Sequence, residues 1–268
     1  MRGASARAVA VVVERVGELL DDGANCAALG EQLFALCGVL DSQPNLRRAL
    51  SDPSIDADRR ADLFGGLLSD FADATVDVAR LAVRQRWSVS RDLSDALEQG
   101  GISAYLAEAE AAGDLDELED ELFRFSRIVE ADPELRDTLG DRSAPVDIRQ
   151  RLVDELIGEQ VGRPTLRLVR HAVTLRHRTV LLGLVQMQRF AAARRERLVA
   201  VVRVAGPLSP AMRRRLQATL TDRFHHDLQL NVIIDPDVLG GVRVSVGDHV
   251  IDGTVSTRLA EARRRLAG

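Results

Sequence analysis

The residues able to carry chemistry are few and poorly spaced for it. Five histidines stand at His171, His177, His225, His226 and His249. His171 and His177 are six apart, about 600° around a helix, so their rings cannot form the i, i+4 pair of a helical metal site. His225 and His226 are adjacent and point apart on a helix. Asp235 and Asp237 flank Pro236; as a metal pair they lack a further ligand at useful spacing, and the proline marks a turn. Cys26 and Cys37 have no histidine neighbour in sequence and read as reduced core thiols of a cytoplasmic protein. No serine sits in a Gly-x-Ser-x-Gly elbow, and no glycine-rich phosphate loop opens a helix. Every basic residue is arginine, which excludes Schiff-base and phosphate-loop lysine chemistry. The expectation is a chain with no catalytic residue, no cofactor and no metal.

The elements that would have to position any site are mostly helical. Apolar residues make up 46% of the 268 residues and aromatics only 3%, so the cores are expected to be helix contacts of Leu, Val and Ala. The apolar run Ala8–Val13 is cut short by Glu14 and Arg15, and no window approaches the roughly 18 apolar residues of a membrane helix. No targeting segment and no direct membrane insertion are expected. Residues 189–268 carry 14 Arg against 8 Asp/Glu, within a chain of net charge −5. That basic end lacks interleaved aromatics and any helix-turn-helix or zinc pattern, so it points to an acidic protein partner and not to nucleic acid.

An internal repeat organises the first two thirds. Leu33, Phe34, Pro44, Leu46, Arg47 and Leu50 recur 89 residues later as Leu122, Phe123, Pro133, Leu135, Arg136 and Leu139. Arg80, Ala82, Val83 and Arg86 recur 90 residues later as Arg170, Ala172, Val173 and Arg176. A shared leucine stripe is common between helices; a shared proline with an arginine three residues beyond it is not, and a fixed period takes priority in reading the fold. Five short helices are expected in the first copy (about 8–20, 27–41, 46–50, 57–69 and 72–87). The second copy repeats them at about 101–112, 114–131, 134–139, 146–158 and 164–177, with a sixth helix at about 179–198.

The last forty residues alternate like strands. Leu228, Leu230, Val232 and Ile234 alternate on a half-buried strand, and Asp235-Pro236 ends it. Gly240 and Gly241 permit positive φ. Val242, Val244 and Val246 alternate again, Gly247-Asp248 makes a tight turn toward Val250 and Ile251, and Asp252-Gly253 starts a helix with Asp252 as N-cap. Before them, Leu198–Val204 reads as a strand. Ser209-Pro210 opens a helix with Met212, Leu216, Leu220 and Phe224 on one face. The fold class is mainly α with a small α+β C-terminal domain: two tandem helical bundles followed by a β-α-β-β-α domain. The divisions fall at 1–100, 101–197 and 198–268.

The stretch LQLNVIIDPDVLGGVRVSVGDHVIDGTVSTRL (228–259) resembles the C-terminal signature of the delta subunit of F-type ATP synthases, the OSCP/delta family. In that signature Asp235, Gly240, Gly241, Gly247, Asp248, Asp252 and Gly253 are structural. Residues 104–139 resemble the family's first helices, and the extra copy before them is a feature of the longer, actinobacterial-type form. The resemblance implies a non-catalytic stator subunit at the cytoplasmic face of the cell membrane, peripheral and part of the complex. It further implies that a bundle holds the N-terminal helix of an alpha subunit in a groove between its first and fifth helices. The matching residues are Ile102, Tyr105, Leu106, Ala109, Leu166, Val169 and Val173 in the second copy, and Ala8, Val11, Val12 and Val16 with Val76, Ala79 and Val83 in the first. The 198–268 domain would hold the C-terminal end of the b subunit. The alternative is a helical-repeat adaptor outside ATP synthase.

Overall fold

The computed structural model describes residues 3–252 apart from Arg176, Leu198, 225–227, 236–237, Leu239 and 247–248. The Gly247-Asp248 turn, Gly253 and the closing helix expected after Asp252 therefore lie outside the described residues. The chain divides into two compact units, Met1–Ala191 and Ala192–Gly268.

The first unit is built from helices that repeat in register. Its first half holds α1 (Ala4–Asp21), α2 (Cys26–Ser42), α3 (Pro44–Ser51), α4 (Ala57–Gly66) and α5 (Asp73–Arg84). After α6 (Arg91–Ala112) come α7 (Leu115–Ala131), α8 (Pro133–Gly140), α9 (Val146–Ile157), α10 (Arg163–Ala172) and α11 (Val180–Arg197), the last of which runs on past the end of the first unit at Ala191. The starts of α2, α3, α4 and α6 recur 89 residues on as those of α7, α8, α9 and α11, and that of α5 recurs 90 on as that of α10. Pro44 and Pro133 do not merely stop a helix. Each is the first residue of the next one, where its missing N–H costs nothing.

The duplication extends to polar groups. Arg60 donates to the Leu50 carbonyl at 3.0 Å, and Arg149 donates to the Leu139 carbonyl at 3.4 Å. Asp52 accepts from the Ser54 amide and hydroxyl, as Asp141 does from Ser143. The start of α5 is capped from a distance: Gln32 Oε1 accepts from the Ala72 amide at 3.0 Å and from Thr75 Oγ1 at 2.7 Å. Glu121 does the same for α10, accepting from the Gly162 amide at 2.9 Å and from Thr165 Oγ1 at 2.5 Å. Each cap satisfies a helix-start amide together with the hydroxyl of a buried threonine.

The boundary drawn at 100/101 falls inside α6, which runs unbroken for 22 residues. It is both the last helix of the first copy and the first helix of the second, and the two copies form one compact unit. Gly100-Gly101 does not break it. A Cβ at Gly101 would stand 2.6 Å from the Phe34 ring, and one at Gly100 would stand 3.3 Å from Leu33 and Val16. The pair is the price of close packing against α2, set against a propensity loss of about 1 kcal/mol per glycine.

The second unit contains a four-stranded mixed sheet. Its strands are β1 (Val199–Val204), β2 (Gln229–Ile234), β3 (Val242–Val246) and β4 (His249–Asp252), in the order β2-β1-β3-β4. β1 and β2 are parallel, joined through α12 (Pro210–Phe224); the other pairings are antiparallel. The expected β-α-β-β order thus gains a fourth strand from Val250 and Ile251. Ser209 caps α12 by accepting from the Met212 amide at 3.2 Å. Leu220 is buried, and Leu216 and Phe224 pack partly buried against the sheet core of Ala200, Val202, Val204 and Val244. Met212 departs from its expected place in this stripe and is 57% exposed. Every fourth residue turns about 400°, so by two steps from Leu220 the drift of about 80° carries Met212 off the face.

Glu121→Ala leaves the Gly162 amide uncapped and takes the partner from the buried Thr165 hydroxyl. The expected loss is about 1–3 kcal/mol of unfolding free energy in urea titration, with Gln32→Ala costing about 1 kcal/mol.

Candidate functional site

Six of the seven groove residues of the second copy lie in the interior. Ile102, Tyr105, Leu106, Ala109, Val169 and Val173 are all 2% exposed or less, and Leu166 is half-buried. The cover over Tyr105 is α2 of the first copy. The Tyr105 ring packs where a Cβ of Gly30 would be, 2.7 Å from its nearest ring carbon. Its hydroxyl points to the Ala27 carbonyl at 3.4 Å, and burial pushes the phenol up to about 12. Phe34 lies 5.5 Å from the Tyr105 ring and stacks on His171 at 3.6 Å between centroids. Glu31 pairs with Arg167 at 3.3 Å. The chain's own helix thus fills the groove between α6 and α10. The counterpart of Phe34 in the second copy, Phe123, is 55% exposed.

Beside this groove a seam of charged groups joins the two copies. Asp41 on α2 accepts from Ser94 at 2.7 Å and pairs with Arg91 at 2.9 Å and Arg47 at 3.4 Å. Glu98 on α6 is 1% exposed. It pairs with Arg178 at 2.8 Å and stands 3.6 Å from His171 Nε2. Asp95 lies 3.6 Å from His177 Nε2 and 3.7 Å from Arg178. Arg91 also touches His177, and Arg178 touches Gln186.

Sequence spacing set His171 and His177 apart on one helix. The structure ends α10 at Ala172, and the chain turns so that both rings face acids of α6. No sequence signal pairs Glu98 or Asp95 with them, because the contacts span more than 70 residues.

Two clusters of the seam have metal-ligand types close together: Cys37, Glu98 and His171, and Asp95, Glu98 and His177. Their chemistry fits an ion-pair joint better. Three carboxylates (Asp41, Asp95, Glu98) meet three guanidinium groups (Arg47, Arg91, Arg178), so the seam is neutral without further cations. Burial pushes the Cys37 thiol up to about 12, away from the thiolate a metal needs. Burial alone would raise the Glu98 carboxyl, but His171, Arg178 and His177 hold it below its ordinary value. Burial, with Arg178 and Arg91 beside it, lowers His177 to about 4.

In the sheet unit the described signature residues terminate strands. The Asp235 amide donates to the Val204 carbonyl at 2.8 Å, and its carboxylate accepts from Arg203 at 3.1 Å. Gly240 and Gly241 have φ of +85° and +87°, which side chains rarely adopt. Asp252 stands opposite Arg243 in the β3–β4 register.

The described residues form a duplicated helical unit followed by a small mixed sheet, with polar groups at helix caps and at the joint between the copies. The family model described as "ATP synthase delta (OSCP) subunit" matches residues 103–266. The "ATP synthase subunit delta" of Thermobifida fusca (strain YX) is 43% identical, with 100% of each chain covered. That of Streptomyces avermitilis is 44% identical over 99% of this chain and 98% of its own. A chain in the cryo-EM structure of the Toxoplasma gondii mitochondrial ATP synthase hexamer is 18% identical. It covers 62% of this chain and 95% of its own at a TM-score of 0.34, too slight a likeness to bear on the fold. The chain belongs to the ATP synthase delta (OSCP) subunit family, and its first 100 residues, outside the family match, are shared with full-length relatives. It is a stator subunit, and the reading as an adaptor outside ATP synthase is set aside by these relatives.

His177 gives the seam a pH dependence. Its folded value of about 4 lies below the ordinary 6.5, so between these values the folded state binds fewer protons than the unfolded one. Its contribution is full above about 6.5 and is lost as pH falls toward about 4. The urea midpoint of the wild type is expected to fall from pH 7 to pH 5, and that of His177→Gln to fall less.

Proposed function

We propose that this chain is a mechanical link with no turnover of its own, joining the alpha subunits of the catalytic head to the b subunit of the peripheral stalk. The observation that carries this is one chain with two separate compact units, in a family whose full-length relatives are ATP synthase subunits. The helical unit receives an N-terminal helix of an alpha subunit by the helix-in-groove mode. The sheet unit meets the C-terminal end of b. Two contacts on one chain raise the effective concentration of each, so moderate affinities resist rotor torque. No helix of the described residues is long and apolar enough to cross a membrane; in this reading the chain is held at the cytoplasmic face through its partners.

For the b contact the exposed Arg213, Arg214 and Arg215 of α12 supply a positive face for an acidic stalk end. Their effect is on encounter and specificity more than on total affinity.

Tagged full-length chain, purified from membranes, is expected to carry alpha and b as its dominant partners; recovery of neither overturns the proposal. Arg213→Glu combined with Arg214→Glu and Arg215→Glu is expected to weaken capture of the soluble part of b by about tenfold, roughly 1.4 kcal/mol. Alpha capture is expected to stay unchanged.

A further inference from the structure

The two copies are not equivalent as receivers. Gly23 and Gly113, both left-handed, close α1 and α6 with the same hydrogen bonds: Ala24 to the Leu19 carbonyl and Asp114 to the Ala109 carbonyl. The helices therefore align at ninety residues, and Val12 and Val16 are buried as Ile102 and Leu106 are. In the second copy the groove-facing positions are Gly101 and Tyr105 on α6 and Arg167 and His171 on α10, and α2 covers them. Their counterparts in the first copy are Val11 and Arg15 on α1 and Asp77 and Leu81 on α5. Val11 is 37% exposed, Leu81 and Arg15 are half-exposed, and Asp77 keeps 47% of its side chain in solvent. Arg15 spans this groove to Asp77 at 2.6 Å while holding Glu18 at 2.7 Å. One guanidinium meets two carboxylates there, which leaves an acidic surplus.

We propose that the groove between α1 and α5 is the open receiving site of the chain, and that its occupant is an amphipathic helix with a basic residue for Asp77 and a large apolar residue for Val11 and Leu81. The filled groove supplies the template. Glu31 of α2 pairs with Arg167, and Phe34, three residues on, covers His171. Asp77 stands where Arg167 does, so the charge on the incoming helix is reversed. Leu81 stands where His171 does, so the residue three positions on is apolar. Helix positions i and i+3 share a face, which lets one helix supply both. This inference rests on the proposed capture of an alpha-subunit helix and names the copy that performs it.

The test is fluorescence anisotropy of the full-length chain with a labelled peptide of the alpha subunit's N-terminal helix. Val11→Glu and Leu81→Glu are expected to weaken binding by about tenfold or more, and Arg167→Glu, in the filled groove, to stay within about twofold of wild type. Circular dichroism melts confirm that each variant is folded. Asp77→Arg is expected to weaken the native peptide and to recover affinity when the peptide's basic residue is changed to Glu, which a folding defect would not do. Loss of binding in Arg167→Glu with none in Leu81→Glu overturns the inference, because the peptide would then displace α2. No binding to the wild-type chain overturns the proposed helix capture itself.

Discussion

Helix α6 must be buried from two sides. Twelve of its 22 residues are buried, among them Leu93, Leu97, Ile102, Tyr105 and Leu106. A helix with one apolar stripe serves one core, and a helix serving two must be apolar or small nearly all round. Gly100 and Gly101 meet that demand at the point where α2 crosses closest. Any side chain at Gly101 would run into Phe34, so the juncture between the copies depends on its absence.

The rest of the helical unit follows from this shared helix. Because α6 belongs to both copies, α2 of the first lies over the groove of the second, and Phe34 gains Tyr105 and His171 as neighbours. The same crossing brings Asp41, Asp95 and Glu98 close to Arg91 and Arg178. Removing one partner of such a buried pair leaves an uncompensated charge, which costs roughly 3–5 kcal/mol. The seam therefore tolerates one arrangement of the copies. A fixed arrangement of this kind suits a stator subunit.

Periodicity and punctuation were enough to read most elements. The 89-residue echo of Leu33-Phe34 and Pro44 in Leu122-Phe123 and Pro133 gave the duplication, and the alternation around Gly240-Gly241 gave the sheet. The division at 100/101 falls inside one helix, and the glycines there, disfavoured in a helix, are explained only by tertiary packing against Phe34. The Gln32 and Glu121 caps escaped notice since their partners lie 40 or more residues away. Six of the seven residues given to the second groove are interior, and no pattern within one copy reveals that a helix of the other covers Tyr105. Met212 shows the limit of four-residue spacing, which drifts off a face within two steps.

The most direct measurement is native-state amide hydrogen exchange across residues 91–112 of the full-length chain. If one helix serves both copies, amides on either side of Gly100-Gly101 exchange with the same opening free energy, in one cooperative step with α2 and α10. Fast exchange confined to the residues around Gly100-Gly101, with different opening energies on the two sides, would contradict a shared helix and describe two bundles joined by a hinge.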